Sequence, residues 1–382
     1  MFVSRYSAKF IDIENKGDYE SILIGAGTIF NQILLWSASK GNILATLNGH
    51  QGVIFSIDYS HMDNLLFSTS DDRSVNVWKL HLGEHESSKV STAELLTRFY
   101  GHDARVWKCC SFIDAKTKIQ YLCSIGEDLN CCLWNVSEKT IVYRFNAMRK
   151  GSKNIWSLCI NPNNDELITG WADGGLRKFS LRSYLKKEVL EENFSGCEEE
   201  FLEWPLKTEN QNDFYRNILF LGEKIVCCTN LGCLYLIDSN SNQLNSSLNG
   251  QNLLIKSELL AKFNVMSKVN LVNDFQLNNC ILAIGTLKGF IFLVSLNSED
   301  KQTSTSSVSC IDVLNVEREM TPLLNTSGNS SKICSVIWTS FKDNKKYRYF
   351  LLGIYFSNYL SFIPIKSANF SPYFEQKKYP YF

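Results

Sequence analysis

Short apolar runs separated by polar turn residues recur along this chain. Phe2 to Ile13 alternates apolar and polar residues, Ile22 to Ala26 and Ile33 to Trp36 are compact apolar runs, and Ile43 to Leu47 follows. Alternation with a period of two, and apolar runs of about 4–8 residues between turns, predict strands rather than helices. The same rhythm continues to the end, with later runs at Leu234 to Ile237, Ile291 to Val294 and Leu360 to Ile363. The pattern predicts an all-β chain in sets of four strands. No apolar run approaches the roughly 18 residues of a membrane-spanning helix. Met1 to Phe10 reads as a strand and not as a signal peptide.

A polar motif is laid over this rhythm. Gly49-His50, Ser68, Asp72 and Trp78 recur as Gly101-His102, Ser124, Asp128 and Trp134, with Ser–Asp and Asp–Trp spacings held at four and six. Agreement at five positions in units of this length is the signature of WD-repeat propeller blades. An Asp in a turn can accept from one imidazole nitrogen while the Ser hydroxyl engages the other. The Trp can cover the group and donate its indole N–H to the Ser. A partly satisfied buried network is costly, so its members occur together. Ser, His and Asp also make hydrolases, but within a repeated blade frame the structural reading wins.

The frame fades along the chain. In the first unit Phe30 stands six residues before Trp36, where an Asp is expected. In the fourth, Thr169, Asp173 and Phe179 keep the four and six spacings, but Gly151 takes the place of the His. An aromatic recurs five residues beyond the Gly-His frame in three units: Phe55, Trp107 and Trp156. Packing between blades is one account of it, and a partner-facing position near the channel mouth is the other. The third strands recur every 42 to 69 residues, giving seven units. The expected division is four regular blades in 1–180, an acidic insertion or linker in 181–212, and three degenerate blades in 213–382.

Composition adds little about partners. Lys+Arg and Asp+Glu are 39 each, so net charge favours neither nucleic acid nor membrane. The thirteen cysteines include the adjacent pairs Cys109-Cys110, Cys131-Cys132 and Cys227-Cys228. Neighbouring side chains in a strand point to opposite faces, so one of each pair is expected between blades. Cys228 and Cys233 form a lone spacing without a second pair, and His81 and His85 sit in a polar stretch without a third ligand. No metal and no cofactor is expected. Reduced cysteines fit a cytosolic or nuclear protein, here expected to be cytoplasmic.

Three phrases narrow the reading: Gly49-His50-Gln51-Gly52-Val53-Ile54-Phe55-Ser56 leading to Ser70-Asp71-Asp72-Arg73-Ser74-Val75; Gly101-His102-Asp103-Ala104-Arg105-Val106-Trp107; and Ser152 to Leu158 with Ala172-Asp173-Gly174-Gly175-Leu176-Arg177. With Ala26 to Gln32 they resemble the WD repeat-containing protein 6 family over residues 25–180. The resemblance implies a non-catalytic partner of a methyltransferase that modifies the ribose 2′-hydroxyl of the tRNA wobble nucleotide. Members of that family are longer and carry more than one propeller, so the resemblance implies either a fragment or a shortened version of such a chain, which leaves open whether seven units close as one ring. The expected partners are that tRNA 2′-O-ribose methyltransferase and tRNA, with no membrane. A general protein scaffold or substrate receptor unrelated to RNA is the alternative. Candidate contacts are Arg73, Arg105, Trp107, Trp156 and Arg177, because Arg grips phosphate and aromatics stack on unpaired bases.

Overall fold

A computed structural model of the chain describes residues 3–13, 21–83, 90–145, 154–161, 165–185, 202–205, 213–221, 224–230, 234–238, 266–274, 279–286, 290–297, 308–315, 333–343, 347–356 and 359–365. Seven antiparallel sheets follow one another, each with strands adjacent in sequence paired in space. The first holds β1 (Val3–Asp12), β2 (Ile22–Thr28), β3 (Gln32–Ser37) and β4 (Ile43–Asn48). The second holds β5 (Ile54–Ser60), β6 (Leu65–Ser70), β7 (Ser74–Leu82) and β8 (Val90–Tyr100). The third holds β9 (Val106–Ile113), β10 (Gln120–Gly126), β11 (Cys131–Asn135) and β12 (Thr140–Phe145). The fourth holds β13 (Ile155–Asn161), β14 (Glu166–Trp171), β15 (Gly175–Ser180) and β16 (Leu202–Pro205), with the single-turn helix α1 (Arg182–Leu185) between the last two. The fifth is β17 (Tyr215–Leu221), β18 (Lys224–Thr229) and β19 (Leu234–Asp238). The sixth is β20 (Met266–Asp274), β21 (Asn279–Thr286), β22 (Phe290–Asn297) and β23 (Val308–Asn315). The seventh is β24 (Ile333–Asp343), β25 (Tyr347–Phe356) and β26 (Tyr359–Ile365).

The first strand of each sheet lies against the first strand of the next, and β24 lies against β1. Seven blades thus close as one ring, which resolves the question the sequence left open. Burial follows from this arrangement. The second strands β2, β6 and β10 are buried at every residue, because a neighbouring blade covers each face. The outer strands β4 and β12 are largely exposed.

The core is the set of seams between blades. Ile11, Leu23, Ile33 and Leu35 of the first blade pack on Ile54, Ile57, Leu66 and Trp78 of the second. Phe67, Val75, Val77 and Phe99 of the second meet Val106, Cys109, Leu122, Cys132 and Trp134 of the third. Cys131 joins the opposite seam, with Ile155, Leu158 and Phe179 of the fourth blade. Both members of this cysteine pair are therefore buried, one in each seam, where one had been expected. Burial pushes the Cys110 and Cys159 thiols up to about 12, which keeps them as unreactive thiols. The eight cysteines whose side chains are described are free, and no group of three or more His, Cys, Asp and Glu among the described residues could hold a metal ion.

The predicted organisation changes at three places. Leu202–Pro205 pairs with β15 as the outer strand of the fourth blade, so the boundary at 180 cuts through that sheet. Among the described residues the fifth and seventh sheets have three strands where four were expected. His81, read from sequence as part of a polar stretch, lies on β7 opposite Thr92 of β8, with Nε2 3.3 Å from Glu94. His85, Gly151, Cys233 and most of the acidic stretch after Lys186 lie outside the described residues.

Candidate partner-binding rim

The tetrads form as their spacing requires. In the second blade His50 Nδ1 lies 2.9 Å from Asp72 and Nε2 2.7 Å from Ser68 Oγ, and Trp78 donates to Ser68 Oγ at 2.8 Å. In the third, His102 Nδ1 is 3.0 Å from Asp128 and Nε2 is 2.8 Å from Ser124 Oγ, and Trp134 donates to Ser124 at 2.8 Å. Burial raises the Asp72 carboxyl, but bonds from His50, Ser74 and the Gln51 amide outweigh it and hold the group below the ordinary carboxylate range. Asp128 is lowered in the same way, against its burial, by His102, Asn130 and the Asp103 amide. An ionised carboxylate only accepts, so Nδ1–H donates to it. Nε2 of a neutral imidazole then accepts from the Ser hydroxyl, whose oxygen accepts the indole N–H.

This order of bonds is that of a hydrolytic triad, yet the serine has no place to react. Ser68 and Ser124 are fully buried, and an indole N–H occupies the oxygen that would attack. The glycine of each Gly-His pair has its own cause. A Cβ on Gly49 would stand 2.8 Å from the Trp78 ring, and one on Gly101 2.7 Å from the Trp134 ring.

The fourth blade makes up for the missing His with Trp171, which the sequence did not single out, and with Arg177. Trp171 donates to Thr169 Oγ1 at 2.8 Å. The Arg177 guanidinium lies 4.1 Å over the Trp171 ring and donates to Asp173 at 2.6 Å. Trp171 stands at the strand position of Gly126, where a Cβ would lie 2.7 Å from His102 Nδ1. The indole therefore fills the place of the imidazole. Phe179 keeps the packing role of the tetrad Trp, 5.2 Å from Phe145 across the seam. Arg177, read from sequence as a partner contact, is fully buried; it is a tetrad substitute and not a surface residue.

The other candidates gather on one face. The turns after β2, β6, β10 and β14 each hold a residue with positive φ: Asn31 at 65°, Arg73 at 67°, Leu129 at 65° and Gly174 at 85°. A backbone amide in the next three of these turns, and one after β18, donates to the carbonyl just before the inner strand: Asp71 to Val53, Glu127 to Arg105, Ala172 to Asn154 and Asn230 to Phe214. This repeated bond places turns and inner-strand starts on one rim. Arg73 is exposed there. Arg105 pairs with Asp71 at 2.7 Å and reaches Glu127 at 3.7 Å, bridging the turns of two blades. All three groups are about half exposed, so the bridge adds little stability. Phe30 and Ile29, in the turn of the first blade, are 61% and 49% exposed.

Trp107 and Trp156 come together, with ring centroids 5.5 Å apart. Phe55 lies 4.7 Å from Trp107, and Phe214 lies 5.6 Å from Trp156. All four rings are half-buried. They pack from blade to blade, as one of the two sequence accounts has it, and each keeps part of its surface exposed. The Arg216 guanidinium lies 5.0 Å over Trp156. Sequence reasoning missed Arg216 and Phe214 because the fifth blade has no Gly-His frame to set the register.

A family model described as WD domain, G-beta repeat, matches residues 41–79. The tRNA (34-2′-O)-methyltransferase regulator WDR6 of Mus musculus is 27% identical over 230 residues, covering 58% of this chain and 18% of that protein. The Drosophila melanogaster protein of the same name is 26% identical over 222 residues, covering 54% and 20%. This is a WDR6-like WD-repeat protein. It spans about a fifth of the length of these relatives. Among solved structures, Chaetomium thermophilum Raptor matches with a TM-score of 0.57 at 14% identity over 97% of this chain and 28% of its own. The computationally designed Ika8 protein matches with a TM-score of 0.53 at 15% identity, over 93% and 81%. At such identities these two show the fold alone. No helix among the described residues is long and apolar enough to cross a membrane.

Proposed function

We propose that this chain is a non-catalytic WD-repeat scaffold that positions tRNA for 2′-O-methylation of the anticodon wobble nucleotide by a partner methyltransferase. The observation that carries the reading is its similarity to proteins named as regulators of that methyltransferase. The buried tetrads support a role without chemistry, since no serine of the motif reaches solvent. A rigid ring raises the effective concentration of enzyme and tRNA at one nucleotide by holding both. Arg73, Arg105, Trp107 and Trp156 are the proposed contacts, with Arg105 held by two carboxylates until a phosphate competes for it. No cofactor is needed for placement.

The test is affinity purification of the tagged protein from its own cells, with and without ribonuclease. Recovery of a tRNA 2′-O-methyltransferase together with tRNA supports the reading. A stable set of protein partners that includes no methyltransferase, and is indifferent to ribonuclease, replaces it with a general protein scaffold.

A further inference from the structure

In the second to fifth blades the ladder between first and second strands slips by one residue near the start of the inner strand. Ile54 pairs with Ser70 and Ser56 with Thr69; Val106 pairs with Gly126 and Lys108 with Ile125; Ile155 pairs with Trp171 and Ser157 with Gly170; Tyr215 pairs with Thr229 and Asn217 with Cys228. The residues left over are Phe55, Trp107, Trp156 and Arg216. A β-bulge re-aims the extra side chain away from the alternation of the strand. Four adjacent blades thus use one backbone device to aim three aromatic rings and one guanidinium at the channel mouth. These groups touch in order, at 4.7, 5.5 and 5.0 Å. The guanidinium stands at the aromatic position of the fifth blade and continues the stack on Trp156.

Trp107 is not held as Trp78 and Trp134 are. Trp78 and Trp134 each spend their indole N–H on a serine, whereas the Trp107 N–H has no hydrogen-bond partner among the described residues. Carboxylates and cations both stand beside the arc. Asp71 and Glu127 are engaged by Arg105, and in the channel Asp58 is paired with Lys9 and bonded by Ser111. Arg73 and Lys108 make no ion pair among the described residues. Lys108 follows Trp107 on β9; burial lowers its ammonium pKa, and nearby Asp58 opposes that shift.

We propose that Phe55, Trp107, Trp156 and Arg216 form a stacking platform for unpaired nucleotides of a single-stranded RNA segment, with Arg73 and Lys108 facing its phosphates. The occupant follows from the chemistry. Flat π surfaces flanked by cations suit bases and phosphates in alternation, and stacking does not require a particular base. The proposal rests on the RNA-positioning reading and specifies which face of the ring meets the RNA, and by what contact.

The test is fluorescence anisotropy with a labelled RNA dodecamer of mixed sequence, single-stranded or annealed to its complement, titrated with the whole chain. Trp156→Ala and Arg216→Ala should each weaken single-strand binding by roughly tenfold, Trp156→Phe should stay within about threefold, and the duplex should bind more weakly than the single strand. Thermal unfolding accompanies each variant. Should Trp156→Ala unfold, the change at half-buried Arg216, Arg216→Ala, decides. Unchanged binding by folded Arg216→Ala, equal binding of duplex and single strand, or competition by a proline-rich peptide that itself depends on Trp156 overturns the platform. Methyltransferase capture by the same proteins separates the two claims. If wild type captures no methyltransferase, the functional reading fails whatever the dodecamer does; if it does capture the enzyme and the arc variants bind RNA as wild type does, only the platform fails.

Discussion

Ser68 shows how a reactive residue type becomes structural. Its oxygen lies 2.7 Å from His50 and 2.8 Å from Trp78, wholly out of solvent. Ser68→Ala leaves an indole N–H and an imidazole nitrogen buried without partners, which costs about 1–3 kcal/mol. Denaturant unfolding should show that loss, with no enzymatic activity to lose. Asp128 gives the pH dependence. Its folded pKa lies below the ordinary value of 3.8, so an unfolded chain binds the extra proton first as pH falls. The stability it contributes is present above about pH 4 and is lost as pH falls through its lower folded value. Asp128→Asn should be less stable than wild type at pH 7, and the gap should close in melts below pH 4. Arg73 separates stability from binding. Its φ of 67° is unfavourable for a residue with a Cβ by about 1 kcal/mol. Arg73→Gly should therefore raise the unfolding midpoint while weakening RNA binding.

At the scale of elements, the strands were legible wherever a blade keeps its polar frame. Ser68, Asp72 and Trp78 announce β6, the turn and β7 by spacing alone, and the structure places them as expected. The fourth blade shows where spacing fails. Phe179 could be aligned with Trp78, but nothing in a linear pattern says that Trp171 fills the imidazole's place or that Arg177 reaches Asp173. Those roles depend on which side chains converge across a hairpin, and they cost the sequence reading one of its five contact residues. Leu202–Pro205 was hidden for a related reason: an outer strand covered on one side needs little apolar patterning, and it follows a glutamate-rich stretch. Gly126 tests the interchange between blades. A methyl group there meets His102 Nδ1 at 2.7 Å, so Gly126→Ala should destabilise by about 1–3 kcal/mol, measured by the same unfolding assay.

Over the whole molecule, closure of β24 against β1 turns seven weakly similar sheets into one body. A rigid body is what a placement role needs, because the rim can fix two partners only if its blades do not move apart. The similarity to methyltransferase regulators covers little more than half the chain, and the phrases that carry the resemblance in the sequence, within residues 25–180, include Arg73, Trp107 and Trp156. The resemblance therefore falls on the same stretch as the rim, although the net charge of zero gave no sign of an RNA partner. Charge is distributed here by pairing: Arg105 takes up Asp71 and Glu127 while Arg73 stays open to solvent.

The central claim is most directly tested by mapping ribose 2′-O-methylation at the wobble nucleotide of tRNA from cells lacking the protein. The account predicts that the modification disappears from the dependent tRNAs and returns with the wild-type gene; full methylation in the deletion strain would contradict it.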